Sequence, residues 1–165
     1  MDIYLKTAFA FMACDGEIVK EEIDLIKRFY DEGMFDTTTN VDECLNNLIR
    51  LLNDEGSTFL QEYLDEVQQA QLDQHSALRL LRIAVDTIYA DKDVKYSEVR
   101  FFRALRKRLS VLDDETILTQ LNQVENYWLK SEVPSEDIDA IEDDFFNNID
   151  LPKFDIKHIQ SKSQE

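Results

Sequence analysis

Glycine and proline are scarce here: three and two respectively in a chain of 165 residues. Strand-and-turn architectures use both at their many reversals, so this scarcity argues against a β-sandwich or barrel and for long helices. Cysteine is also rare. Cys14 and Cys44 are too few and too unpatterned for a disulfide framework or a zinc site. Both fall on apolar stretches and are expected to be buried thiols. No long hydrophobic run is present. Asp2 precedes an apolar run of only Ala8–Cys14, which is too short to span a bilayer and lacks the form of an export signal. The expectation is a soluble, cytoplasmic protein without direct membrane insertion. Histidine occurs twice, at His75 and His158, and neither belongs to a catalytic constellation. A Gly-rich phosphate loop is missing as well. The chain is therefore expected not to be an enzyme, with no catalytic residue assigned.

Positive charge is in deficit. Eighteen Lys and Arg face 35 Asp and Glu, for a net charge of −17. A field of that sign repels nucleic acid and anionic membranes, and attracts divalent cations and basic partners. It also serves solubility alone. The charge is uneven. Arg79 to Arg108 is net positive, whereas Ser131 to Asp150 is acidic with no basic residue. Such asymmetry favours contacts within or between chains.

Apolar residues recur at three- and four-residue intervals through most of the chain, which predicts about seven helices. The first covers Ile3–Ala13 and is apolar nearly all round, so it should be central. The second runs Lys20–Tyr30 and stops at Gly33. Asn40 with Glu43 caps a third, and Gly56 ends it. Ser57 caps a fourth, Asp73 starts a fifth, and Tyr96–Arg108 is the sixth. A seventh begins at Asp113 or Asp114 and is lined by Ile117, Leu121, Val124 and Trp128. Pro134 breaks the pattern, and Ser135 caps a short acidic helix, Glu136–Asn148. Residues 1–130 are expected to form the helical domain, and 131–165 an acidic C-terminal segment with a loose end.

One turn occurs twice. MACDGEIVKEEIDLIKRF, Met12 to Phe29, aligns at a constant offset with IYADKDVKYSEVRFFRAL, Ile88 to Leu105. Asp15 meets Asp91, Glu17 meets Asp93, Glu22 meets Glu98 and Ile23 meets Val99. Each copy is a small-apolar helix end, an acidic turn and a new amphipathic helix. The fold expected is all-α: a helical bundle built from two pseudo-repeated helical hairpins, plus the acidic C-terminal helix.

The repeated pattern, A-D-G-E-hydrophobic-S-x-x-E, resembles the tellurite-resistance TerB-like family. The same module is similar to the N-terminal part of some membrane-bound DnaJ-type co-chaperones. The likeness covers about Met1 to Lys130. It implies an all-helical domain, acidic turns that bind divalent metal, and a link to stress or phage-defence complexes. Matched residue by residue, the metal role falls on Asp15, Glu17 and Glu22, with Asp91, Asp93 and Glu98. The chain departs from the pattern in places. The capping Ser is Val19 in one copy and Lys95 in the other, and the turn glycine is Gly16 in the first but Lys92 in the second. An ammonium at Lys92 competes with a cation for the same carboxylates. No H-P-D tripeptide occurs in these residues, so no J domain is expected among them.

Two readings fit these acids. Hard cations want several carboxylate oxygens, and Asp15, Glu17 and Glu22 can lie close together. Calcium, magnesium, manganese and zinc all remain open. Alternatively, Glu22 and Glu98 stand where a third-position glutamate turns back to a helix start. The other acids then lie where a helix N-terminus favours negative charge by roughly 0.3–1 kcal/mol. The functional expectation is a non-enzymatic TerB-like module that binds a partner protein, and a divalent cation through its paired turns. The competing expectation is an oligomerising adaptor whose acidic tail, striped by Ile138, Ile141, Phe145 and Ile149, docks on the basic sixth helix of a neighbouring copy.

Overall fold

Helix α1, Ile3–Ala13, buries every residue except Ile3 and Lys6. A helix that is apolar all round must be wrapped on all sides, and α1 is the axis of this fold. A computed structural model describes residues 2–14, 16, 18–35, 40–90, 92–125 and 128–129. Within them the chain is all helical, with seven α-helices and no strand. After α1 come α2 (Lys20–Asp31), α3 (Val41–Glu55), α4 (Ser57–Ala70), α5 (Gln74–Ile88), α6 (Tyr96–Lys107) and α7 (Asp114–Gln120). Helix α5 packs most extensively on α1, and α4, α2 and α3 complete the wrapping. Helix α6 leans on α4 and α5.

Aromatic side chains fill the centre. Phe9 meets Phe59 edge-on at 5.7 Å, and Phe11 meets Phe101 at 4.7 Å. Full burial of a phenylalanine stabilises a fold by about 1.5–3 kcal/mol, so these pairs tie α1 to α4 and α6. One polar contact lies among them. The Thr7 hydroxyl donates its hydrogen to the Ile3 carbonyl oxygen at 2.7 Å. It has no second hydrogen, so the Tyr63 hydroxyl, 2.6 Å away, is the donor in their shared bond. Tyr63 is fully buried, and desolvation pushes its phenol far above the usual range.

Short polar side chains set most of the helix starts. Asp2, Asn40, Asp73 and Asp113 each accept from a backbone N–H in the first turn of α1, α3, α5 and α7. Two expectations from sequence need correction. Ser57 is the first residue of α4 and does not cap it; that position belongs to Gly56, at φ 61° and ψ −136°. This backbone geometry is natural only to glycine, and it lets α3 pass into α4 through one residue. The seventh helix is also shorter than its apolar spacing predicts. It ends at Gln120, while Leu121, Val124 and Trp128 are buried beyond it. Trp128 stacks on Tyr89 at 5.8 Å and meets Phe102 edge-on at 5.3 Å. The acidic helix expected at Glu136–Asn148 lies outside the described residues. Among the described residues, no helix is long and apolar enough to cross a membrane.

Candidate functional site

The described residues of the repeated turn have similar backbone geometry at matched positions. Gly16 has φ 80° and Lys92 has φ 62°. Gly16 N–H donates to the Ala13 carbonyl at 3.0 Å, and Lys92 N–H donates to the Tyr89 carbonyl at 3.0 Å. The chain then enters α2 and α6 through extended residues, Val19 at φ −105° and Lys95 at φ −96°. Glu22 turns its carboxylate back to accept from Val19 N–H at 3.3 Å, and Glu98 does the same from Lys95 N–H at 3.1 Å. The side chains of Val19 and Lys95 have no oxygen to complete a reciprocal cap. Instead, the N–H of Glu22 and that of Glu98 donate to the carbonyls of Val19 and Lys95, at 3.2 and 3.1 Å.

Glu22 and Glu98 are both buried, 5% and 3% exposed. Buried carboxylates at these positions hold helix starts, which is the capping chemistry read from their spacing. Of the other proposed metal ligands, Asp93 is exposed. Asp15, Glu17 and Asp91 lie outside the described residues. Among the described residues, no group of three or more His, Cys, Asp or Glu side chains is placed to hold a metal ion.

A groove that the sequence reading missed runs between α2 and the end of α5. It encloses about 560 Å³. Glu21, Asp24, Leu25 and Arg28 line one wall at the spacing of a single helix face, and Asp86, Tyr89 and Ala90 line the other. Glu21 immediately precedes Glu22, and Ala90 immediately precedes Asp91. The groove is therefore built from direct neighbours of both acidic turns. Asp86 is half-buried; burial raises its carboxyl above the usual range, against the pull of Arg82 and Arg28. Its signal in the sequence was a lone acid in α5, flanked by the buried Val85 and Thr87.

The basic stretch on α6 is partly committed to structure. Arg106 grips Asp114 through Nε at 3.2 Å and Nη2 at 3.1 Å, and its Nη1 reaches the Leu109 carbonyl. This guanidinium fixes the corner between α6 and α7. Arg108 donates to the Ala104 carbonyl, and Arg100 lies 5.8 Å from the Tyr96 ring. His75 is exposed, and His158 lies outside the described residues. Cys14 and Cys44 are buried, with the Cys14 thiol donating to the Phe11 carbonyl at 3.3 Å.

The chain matches no protein-family model, no curated protein and no solved structure.

Proposed function

We propose that this protein is a non-enzymatic, TerB-like stress-response module of the cytoplasm. It binds a partner protein, and a divalent cation through its paired acidic turns. The observation that supports this reading is the matched backbone of Gly16 and Lys92, each followed by a buried glutamate that caps the next helix. Matched geometry at matched positions favours two helical hairpins of one repeated design. In this reading Glu22 and Glu98 set the helix starts and, with Asp15, Glu17, Asp91 and Asp93, supply the carboxylate oxygens for a cation. Cation binding to the native state raises its melting temperature by mass action. The rise is expected with at least one of calcium, magnesium, manganese or zinc, and is lost in Asp15→Asn combined with Glu22→Gln. Unchanged melting with all four ions ends the cation half of the proposal.

A second reading is an oligomerising adaptor whose acidic tail docks on α6 of a neighbouring copy. It is favoured by Tyr96, the first residue of α6, and Val111, just beyond its end, which are exposed by 55% and 46%. Large apolar side chains beside a basic stretch suit an acidic, apolar-striped segment. Light scattering compares the full chain with one ending at Lys130. An equal number of subunits in both excludes an oligomer driven by the tail.

A further inference from the structure

The groove between α2 and the end of α5 is lined by more acid than base. Three carboxylates, Glu21, Asp24 and Asp86, face it against one guanidinium, Arg28. Leu25, Ala90 and the Tyr89 ring supply its apolar part. Asp86 is desolvated more strongly than its neighbouring arginines compensate. A ligand for such a groove carries ammonium groups beside an apolar side chain.

The described chain ends at the rim. Trp128 stacks on Tyr89, a wall residue, and the Tyr89 hydroxyl donates to the Gln123 carbonyl at 3.1 Å. Residues 130–165 follow from that point. Their first part, 131–150, carries acids and no basic residue, so the groove repels it. The part beyond reads LPKFDIKHIQSK, with Lys153, Lys157 and Lys162 interleaved with Phe154, Ile156 and Ile159. Closing a longer loop costs little more than closing a short one, so the intervening residues do not prevent a return.

We infer that the groove between α2 and the end of α5 is the docking site of this chain's own segment 151–162. Lys153 and Lys157 meet its carboxylates, and Phe154 meets Leu25 and Tyr89. The inference is independent of cation binding at the turns.

The experiment uses the full chain with a nitroxide on Gln160→Cys, a position that leaves all three lysines intact; Cys14 and Cys44 are buried from the reagent. Backbone amide signals are recorded with the label oxidised and reduced. The expected result is loss of most intensity at Asp24, Arg28, Asp86 and Ala90. Asp24→Lys, a change at an exposed position, restores those signals, and adding Lys153→Asp to it weakens them again. Three results would overturn the inference. One is uniform intensity across the chain. The second is loss confined to α6. The third is full loss in an unlabelled isotopic copy mixed with labelled protein, which would mean docking between chains.

Discussion

Lys92 holds the backbone position of Gly16. Both have positive φ, and both N–H groups reach a carbonyl three residues back at 3.0 Å. A lysine in the left-handed region carries a steric cost that glycine does not, so the second turn is strained where the first is relaxed.

Lys92→Gly is expected to stabilise the protein by roughly 0.5–1 kcal/mol, the relief of strain less the entropy of the added glycine. Gly16→Ala is expected to cost about 1–2 kcal/mol, because the conformation is retained and the Cβ opposes it. Urea unfolding midpoints at unchanged slope measure both. Equal and small effects at the two sites would show that the turns do not share this geometry in solution.

Glu22 and Glu98 are acceptors for the N–H groups of Val19 and Lys95. Glu98→Ala is expected to cost about 0.5–2 kcal/mol, since a part-buried donor loses its partner. Glu98→Gln retains an oxygen and is expected to cost less than half of that. The same ordering is expected at Glu22. Denaturant curves without added cation separate this capping role from ion binding; a glutamine variant as unstable as the alanine variant contradicts it.

Tyr63 and Thr7 form a buried donor–acceptor pair with a fixed direction. Tyr63→Phe leaves Thr7 bonded to Ile3 and is expected to cost about 0.5–1.5 kcal/mol. Thr7→Val strands the Tyr63 hydroxyl in the core and costs more, about 1–3 kcal/mol. Burial raises the folded phenol above its ordinary value of 10.0, so the folded state favours the protonated form. That contribution is complete below the unfolded pKa and is lost as pH rises above it. Stability measured between pH 9 and pH 11 is expected to fall with a slope that Tyr63→Phe reduces.

Asp73 and Asp113 have the opposite sign. The Ser76 backbone N–H holds the Asp73 carboxyl below 3.8, and a hydrogen bond from the Thr116 side chain does so for Asp113. Their capping contribution is present above the unfolded pKa and is lost as pH falls through the folded one. Asp73→Asn with Asp113→Asn preserves an acceptor of equal capping quality that does not titrate. The double variant is expected to match the parent near neutrality and to lose less stability on acidification to pH 2. Parallel acid curves would remove these caps from the acid response.

Helix positions were legible in the sequence wherever a cap or a periodic stripe stood out. Ile3–Ala13 runs over the expected residues, and Asn40, Asp73 and Asp113 mark helix starts as their side chains imply. The start of α4 was misread because Ser57 looks like a cap, while Gly56 does the work through its backbone. The end of α7 was misread because Leu121, Val124 and Trp128 keep helical spacing after the helix stops; spacing reports burial, and burial does not require a helix. The groove was not legible because its two walls come from helices far apart in sequence. Only Asp86, the one acid of α5, set between the buried Val85 and Thr87, hinted at it.

Helix α1 also constrains how the protein is made. Its main partner, α5, is synthesised only after α2, α3 and α4. Until then, α2, α3 and α4 cover only part of a helix that is buried on every side, and the face that α5 closes stays open. Translation therefore exposes α1 as an adhesive surface for as long as ribosomes take to reach Ile88, a window in which chaperone holding or aggregation competes with folding. Slow codons placed before α5 would lengthen that exposure and lower the soluble yield.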